Sequence, residues 1–422
     1  MTERERHLLI VLAAASFECV LIAVTYRLWL GGSDFPAVPL IGWSFSNVTR
    51  RILGISLIGS CGATVVMSCR KWMQLRQSTR ATQGIQMLDT RSALTGGLPL
   101  GVRLAAISAA VFALLCAIAN QHCLQAWHWL FLIVMSFAAA LNARAFLASI
   151  ALVLASVYLC SGLSRITLSS QPNATEMIVQ SLMKFILPAQ VAGDLRWISI
   201  FSIAATCGEI FAGILLLSRR TQRMGLVMAV LMHLSLMLAL GPLGLNHHWG
   251  VILWNAFFLC LMPLAFLRKP QASGMRLTEA WPGLCLLAFS LSGLVGIADN
   301  WPSWQLYSSR PETWELWLET STADQLPPTL KPYLSTGTIT GDWAVLKLDR
   351  WSLAATGAPI YPEDRFLCAV IEDVIRPMKQ PVFRVLIDEP ELAWWKRRTR
   401  ELNSVEGLEQ ERQRAKQRTL RD

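Results

Sequence analysis

Nine apolar runs of near-bilayer length recur along this chain, and they limit its possible folds more than any other feature. They cover residues 8–30, 52–69, 104–120, 124–141, 146–162, 197–217, 226–240, 251–267 and 281–298. A helix that crosses a bilayer needs about 20 mostly apolar residues, within roughly 17–25. Composition agrees. Only 16% of residues are charged, 53% are apolar and the mean hydropathy is +0.42, whereas soluble proteins carry about 25% charged residues. The expected fold class is an all-α polytopic membrane helical bundle over residues 1–299. The fourth and fifth runs are short and meet at Asn142, Ala143, Arg144 and Ala145. They read as two short helices or one interrupted hairpin, so eight and nine spans both fit.

Charge orients the bundle. The first run is too long for a signal-peptide core and no small-residue cleavage site follows it, so it reads as a retained helix. Of a net charge of +10, much lies in alternate turns: Arg70, Lys71, Arg76, Arg80, Arg91 and Arg103 in the second, Arg144 in the fourth, Arg219, Arg220 and Arg223 in the sixth, Arg268, Lys269 and Arg276 in the eighth. Arg50, Arg51, Arg165, Lys184 and Arg196 depart from this pattern. The distribution is that of a topology signal, not of a nucleic-acid groove. It predicts a cytoplasmic N-terminus, in a bacterial inner membrane, and nine spans then put everything after Asp299 on the outer side.

Composition shifts after Asp299. Aromatic and partly alternating stretches at 314–318, 343–348 and 382–387 read as strands. Residues 362–376 read as a helix with proline at its start and an acidic first turn. From Pro390 onward the chain reads as helical and strongly charged. The expectation is a small extracytoplasmic α+β domain at 300–395 and a charged helical or disordered tail at 396–422. Between the fifth and sixth runs, Glu176 to Leu187 reads as a short amphipathic helix stopped by Pro188. Gly54, Ser56, Gly59, Ser60 and Gly62 read as a surface for close helix packing.

Ten cysteines are scattered with no C-x-x-C, and only Cys123 and Cys368 fall outside the apolar runs. This offers little for a disulfide framework or thiol relay. His122, His128, His247 and His248 fall near the outer ends of runs. Adjacent His247 and His248 do not readily aim at one ion and no spacing fixes a carboxylate beside them, so no metal site is assigned.

Three ionisable residues interrupt the apolar runs themselves. Glu209 and His233 each lie eight residues from the cytoplasmic end of adjacent, antiparallel runs, about 12 Å deep. Glu18 lies about 15 Å deep in the first. Such residues face the bundle interior and pair with one another. Two readings follow: a proton relay or polar pocket built from Glu209, His233 and Glu18 as candidate catalytic residues, or a hydrogen-bonded pair that fixes helix register. Arg165, near an outer helix end, is a candidate ligand-binding cation, with snorkelling toward headgroups as the other reading.

The order Ser161-Gly162-Leu163-Ser164-Arg165, then Phe185-Ile186-Leu187-Pro188, Gly208-Glu209, Gly213, Arg219-Arg220 and His233 resembles the HTTM group, which is similar to the membrane part of vitamin-K-dependent γ-carboxylases. It also resembles the related DoxX/MauE-like membrane proteins. The resemblance covers about residues 158–267. Arg165 stands where these families usually show lysine, and no carboxylase catalytic residue can be placed. The resemblance implies a bundle with a pocket toward the outer leaflet for a quinone-like or lipid-like molecule. The expected function is redox-associated, or lipid- or quinone-handling, with the bilayer as partner. The alternative is a non-catalytic scaffold or accessory subunit that binds a protein through its outer domain.

Overall fold

A computed structural model describes the chain apart from residues 33, 42, 83–96, 167–173, 268–276, 307, 309–312, 337–341, 391–396 and 422. Its helical part contains α1 (Glu3–Val24), α2 (Tyr26–Leu30), α3 (Asn47–Thr82), α4 (Leu100–Ala119), α5 (Ala126–Ala140) and α6 (Ala143–Ser164). It continues with α7 (Ala174–Ile186), α8 (Ala189–Ala192), α9 (Leu195–Leu217), α10 (Gln222–Leu240), α11 (Trp249–Phe266) and α12 (Leu277–Ser292). Among the described residues, eight helices are long and apolar enough to cross a membrane. The fourth sequence run is not one of them: α5 has 15 residues, about 22 Å of helix against a hydrocarbon core of about 30 Å.

The junction between the fourth and fifth runs resolves as two helices. Leu141 is extended, and the Asn142 side chain accepts from the Ala145 amide, capping α6. Capping satisfies one of the orphan donors at a helix start. Thr2 and Glu5 form a capping box on α1, and the Asp194 side chain caps α9.

α6 is the axis of the bundle. Of its most apolar 18-residue window, 83% is buried, against 28–33% for α3, α9 and α10. A helix apolar all round belongs in a core. α9 and α12 lie along α6, and α1, α5 and α11 also touch it. The outward faces of α3, α9 and α10 remain apolar: Ile52, Ile55 and Val66, Ile200, Ile203 and Ile214, and Val227 and Leu231 are all more than half exposed. α7 packs on both α9 and α10, and its Ser181 Oγ donates to the Ala239 carbonyl at 2.9 Å.

The C-terminal part is an antiparallel sheet of order β2-β3-β1-β4-β5, from β1 (Thr313–Glu319), β2 (Leu334–Thr336), β3 (Trp343–Leu346), β4 (Phe383–Pro390) and β5 (Arg397–Leu402). Trp314, Leu316 and Leu318 alternate inward and meet Phe383, Val385 and Ile387, as period-two burial of one sheet face requires. α14 (Leu348–Thr356) and α15 (Asp364–Ile375) cover that face, with the one-turn α13 (Thr320–Ala323) after β1. The reading of a helix from Pro390 onward is corrected. Arg397–Leu402 is a strand paired with β4, and among the described residues after it α16 (Val405–Arg421) is the helix. Arg400 explains the difference. It ties Glu389 of β4 and Glu411 of α16 together at 2.8–3.0 Å, so charges that look like a solvated tail are tertiary partners.

This domain sits on one end of the bundle. Phe35, Ala117 and Leu124 belong to its apolar core. The Trp129 indole donates to the Pro302 carbonyl, and Gly357 lies against the Val24 carbonyl and His248. The contacted end gathers the C-terminal ends of α1 and α4 and the N-terminal ends of α5 and α11, as strict up-down alternation would place them.

Candidate functional site

α6 presents Tyr158, Ser161 and Arg165 at helical spacing, so they share one face. Tyr158 Oη lies 2.7 Å from His233 Nε2, and His233 Nδ1 lies 2.8 Å from Asn255 Oδ1. The Asn255 amide nitrogen donates to the Val251 carbonyl at 2.8 Å. That contact fixes the Asn255 orientation and makes Oδ1 an acceptor. His233 therefore carries its proton on Nδ1, and Nε2 accepts from the tyrosine hydroxyl. The His233 ring stacks on Phe258 at 4.7 Å. The result is a buried Tyr–His–Asn line across α6, α10 and α11.

Two turns on, at the C-terminal cap of α6, Arg165 Nη1 donates to Glu209 Oε2 of α9 at 2.5 Å. Its Nη2 donates to Ser161 Oγ at 2.9 Å and to the Leu306 carbonyl at 3.2 Å, and Nε reaches that carbonyl at 3.3 Å. Four of its five N–H groups are thus occupied. The pair forms because two glycines let α6 and α9 touch. A Cβ on Gly162 would lie 2.6 Å from the Ile210 side chain and 3.1 Å from its amide. One on Gly213 would lie 2.8 Å from the Leu159 side chain.

Glu209 and His233 do occupy one level. Gly225 of α10 packs on the backbone of Leu216 in α9, and that antiparallel register sets His233 opposite Gly208. They do not pair. Glu209 turns to Arg165 and His233 to Tyr158 and Asn255. Glu18 joins neither. Its Oε1 lies 2.6 Å from His128 Nδ1 of α5, and His128 Nε2 lies 3.0 Å from the Ala113 carbonyl. A carbonyl only accepts, so Nε2 is protonated and the Glu18–His128 pair holds one further shared proton. The three sequence candidates are thus buried in three separate polar knots.

The four histidines near run ends separate as well. His128 is inside the bundle. His122 is buried in the seam between bundle and domain, 3.0 Å from the Pro359 carbonyl and 3.2 Å from Ser352 Oγ, and burial pushes its imidazole down to about 4. His248 Nδ1 caps α11 by accepting from the Gly250 amide, and His247 Nδ1 accepts from the His248 amide. Burial lowers both of their pKa values. In the same seam, burial first and mutual repulsion second raise Glu363, and burial raises Asp299. No group of three metal-ligating side chains occurs among the described residues. All ten cysteines are free, and Cys123 and Cys368 are buried.

Tyr158, Asn255 and His128 are partners that run spacing alone does not single out. Each has a weak signal: Tyr158 and Asn255 are polar groups inside apolar runs. The charged residues were read against one another, although neutral hydroxyls and amides satisfy a buried histidine at a lower desolvation penalty. No protein-family model matches the chain, and neither curated proteins nor solved structures give a match.

Proposed function

We propose that this is an integral membrane protein of a bacterial inner membrane that handles a lipid- or quinone-like molecule in redox-associated chemistry. Its N-terminus is cytoplasmic and its C-terminal domain lies outside. The apolar outward faces of α3, α9 and α10 support insertion, because soluble monomers rarely leave such continuous patches to water. The observation that carries the function is the Tyr158–His233 contact of 2.7 Å. Because His233 Nε2 accepts from that hydroxyl, the line sets a neutral, oriented polar pair inside the bundle without burying a charge. Arg165 and Glu209 beside it form an ion pair, and the HTTM and DoxX/MauE resemblance implies a pocket toward the outer leaflet.

The test is organic extraction of protein purified in native-lipid nanodiscs. Near-stoichiometric quinone or one enriched lipid is expected, and bulk lipid composition would overturn the reading. A reporter fused after Asp299 should be active on the outer side.

The alternative reading, an accessory subunit, rests on the far face of the sheet. Trp317 and Trp343 are half-buried there, with Arg384 stacked 4.4 Å over the Trp343 ring. Aromatic and arginine clusters are frequent interface anchors. A stoichiometric protein partner lost on Trp343→Ala, with no enriched quinone or lipid, would favour it.

A further inference from the structure

The seam between α7 and α9 contains hydroxyls that the polar knots do not use. Val179 and Met183 of α7 cluster with Ala192 and Ile198 in an apolar hairpin contact. The two helices run antiparallel from it. One turn further along each stand Thr175 and Ser202, respectively 5% and 6% exposed. Their hydroxyl oxygens are buried and have no hydrogen-bond partner. An unmade bond at a buried hydroxyl is unfavourable, and native structures rarely leave one without a reason. On α9 the stripe continues inward through Thr206 to Glu209, where Arg165 retains one N–H.

We propose that this seam is a binding subsite for the carbonyl-bearing head of an amphipathic molecule. Thr175 and Ser202 donate to the carbonyl, and the Arg165 end of the stripe marks its inner limit. The apolar tail lies along the exposed face of α9, where Ile200 and Ile203 flank Ser202. Two sources share this chemistry: an isoprenoid quinone and an ester phospholipid. The inference deepens the proposed function and rests on membrane insertion.

The experiment uses the full chain in nanodiscs of phosphatidylethanolamine and phosphatidylglycerol, with decylubiquinone as the probe. Because neither hydroxyl is bonded, Ser202→Ala and Thr175→Val should fold as well as wild type. Decylubiquinone binding should weaken by roughly fivefold for each, while Ser68→Ala, which removes an equally unpartnered buried hydroxyl on α3, should leave it unchanged. If phospholipid is the occupant, decylubiquinone should bind weakly, and the enriched phospholipid should be lost from both variants. Quinone and phospholipid occupancy both unaffected in the double variant would overturn the subsite. The proposed function would survive that result wherever wild type retains quinone or an enriched lipid, and would fall with bulk lipid alone.

Discussion

Glu18 and His128 meet at 2.6 Å with neither side chain more than 1% exposed. The Ala113 carbonyl behind the imidazole fixes one of its protons. Two buried groups sharing one proton are stable together and unfavourable apart. Glu18→Leu or His128→Phe alone should destabilise the bundle by about 3–5 kcal/mol. The double variant should recover part of that loss, since nothing charged is left behind. Thermal unfolding of the four proteins in one detergent measures it, and additive losses would refute the pairing.

Arg165 and Glu209 should behave in the same way, and His233 should not join them. A double-mutant cycle between Arg165→Leu and Glu209→Leu should give a coupling of at least about 1 kcal/mol. The cycle between Glu209→Gln and His233→Ala should stay within about 0.5 kcal/mol. A large coupling in the second cycle would restore the direct pair that the sequence suggests.

Glycines on different helices should respond differently. Gly162→Ala pushes a methyl group into Ile210 and should cost about 1–3 kcal/mol, loosening the Arg165–Glu209 contact. Gly59 and Gly62 have nothing within 4 Å of an added Cβ. Alanine there should be neutral or stabilising by up to about 1 kcal/mol through helix propensity. Unfolding midpoints for the three alanine variants suffice to check the contrast.

The seam histidine gives a pH signature. His122 is held near 4 in the folded protein against about 6.5 unfolded, so the unfolded chain binds the extra proton between those values. The His122 contribution is complete above pH 6.5 and is lost as pH falls toward 4, about 3 kcal/mol in all. Asp299 and Glu363 are raised, so theirs runs the other way and is lost as pH rises. The difference between wild type and His122→Gln, which cannot titrate, isolates the histidine. It should shrink between pH 7 and 4, and a constant difference would contradict neutral burial.

How much of this was legible from sequence follows from the physics of each signal. Apolar runs report burial in any low-dielectric setting, so the eight long helices could be located but not their ends: the run at 52–69 lies within a helix of 36 residues, Asn47–Thr82. The same runs say nothing of which face turns to which neighbour, because α6, α9 and α10 are apolar almost all round. Glu209 and His233 were placed at the right level by register. Their partners depend on rotation about the helix axis, which Gly162 and Gly213 set through contacts far apart in sequence. The sequence pattern puts His128 at an interface because its run begins at an end that the charge distribution assigns to the outside. Its burial comes from Glu18, 110 residues away. In the C-terminal domain, charge density at 397–421 masked a strand, because the partners of Arg400 lie on two other elements.

The Tyr158–His233 contact is the centre of the account. Infrared difference spectroscopy addresses it most directly, with ring-labelled tyrosine and decylubiquinone-loaded protein compared in oxidised and reduced states. A tyrosine ring mode that shifts on reduction, vanishes in Tyr158→Phe and is altered in His233→Ala is the predicted result. A quinone-loaded protein whose difference spectrum contains no contribution from Tyr158 would contradict it.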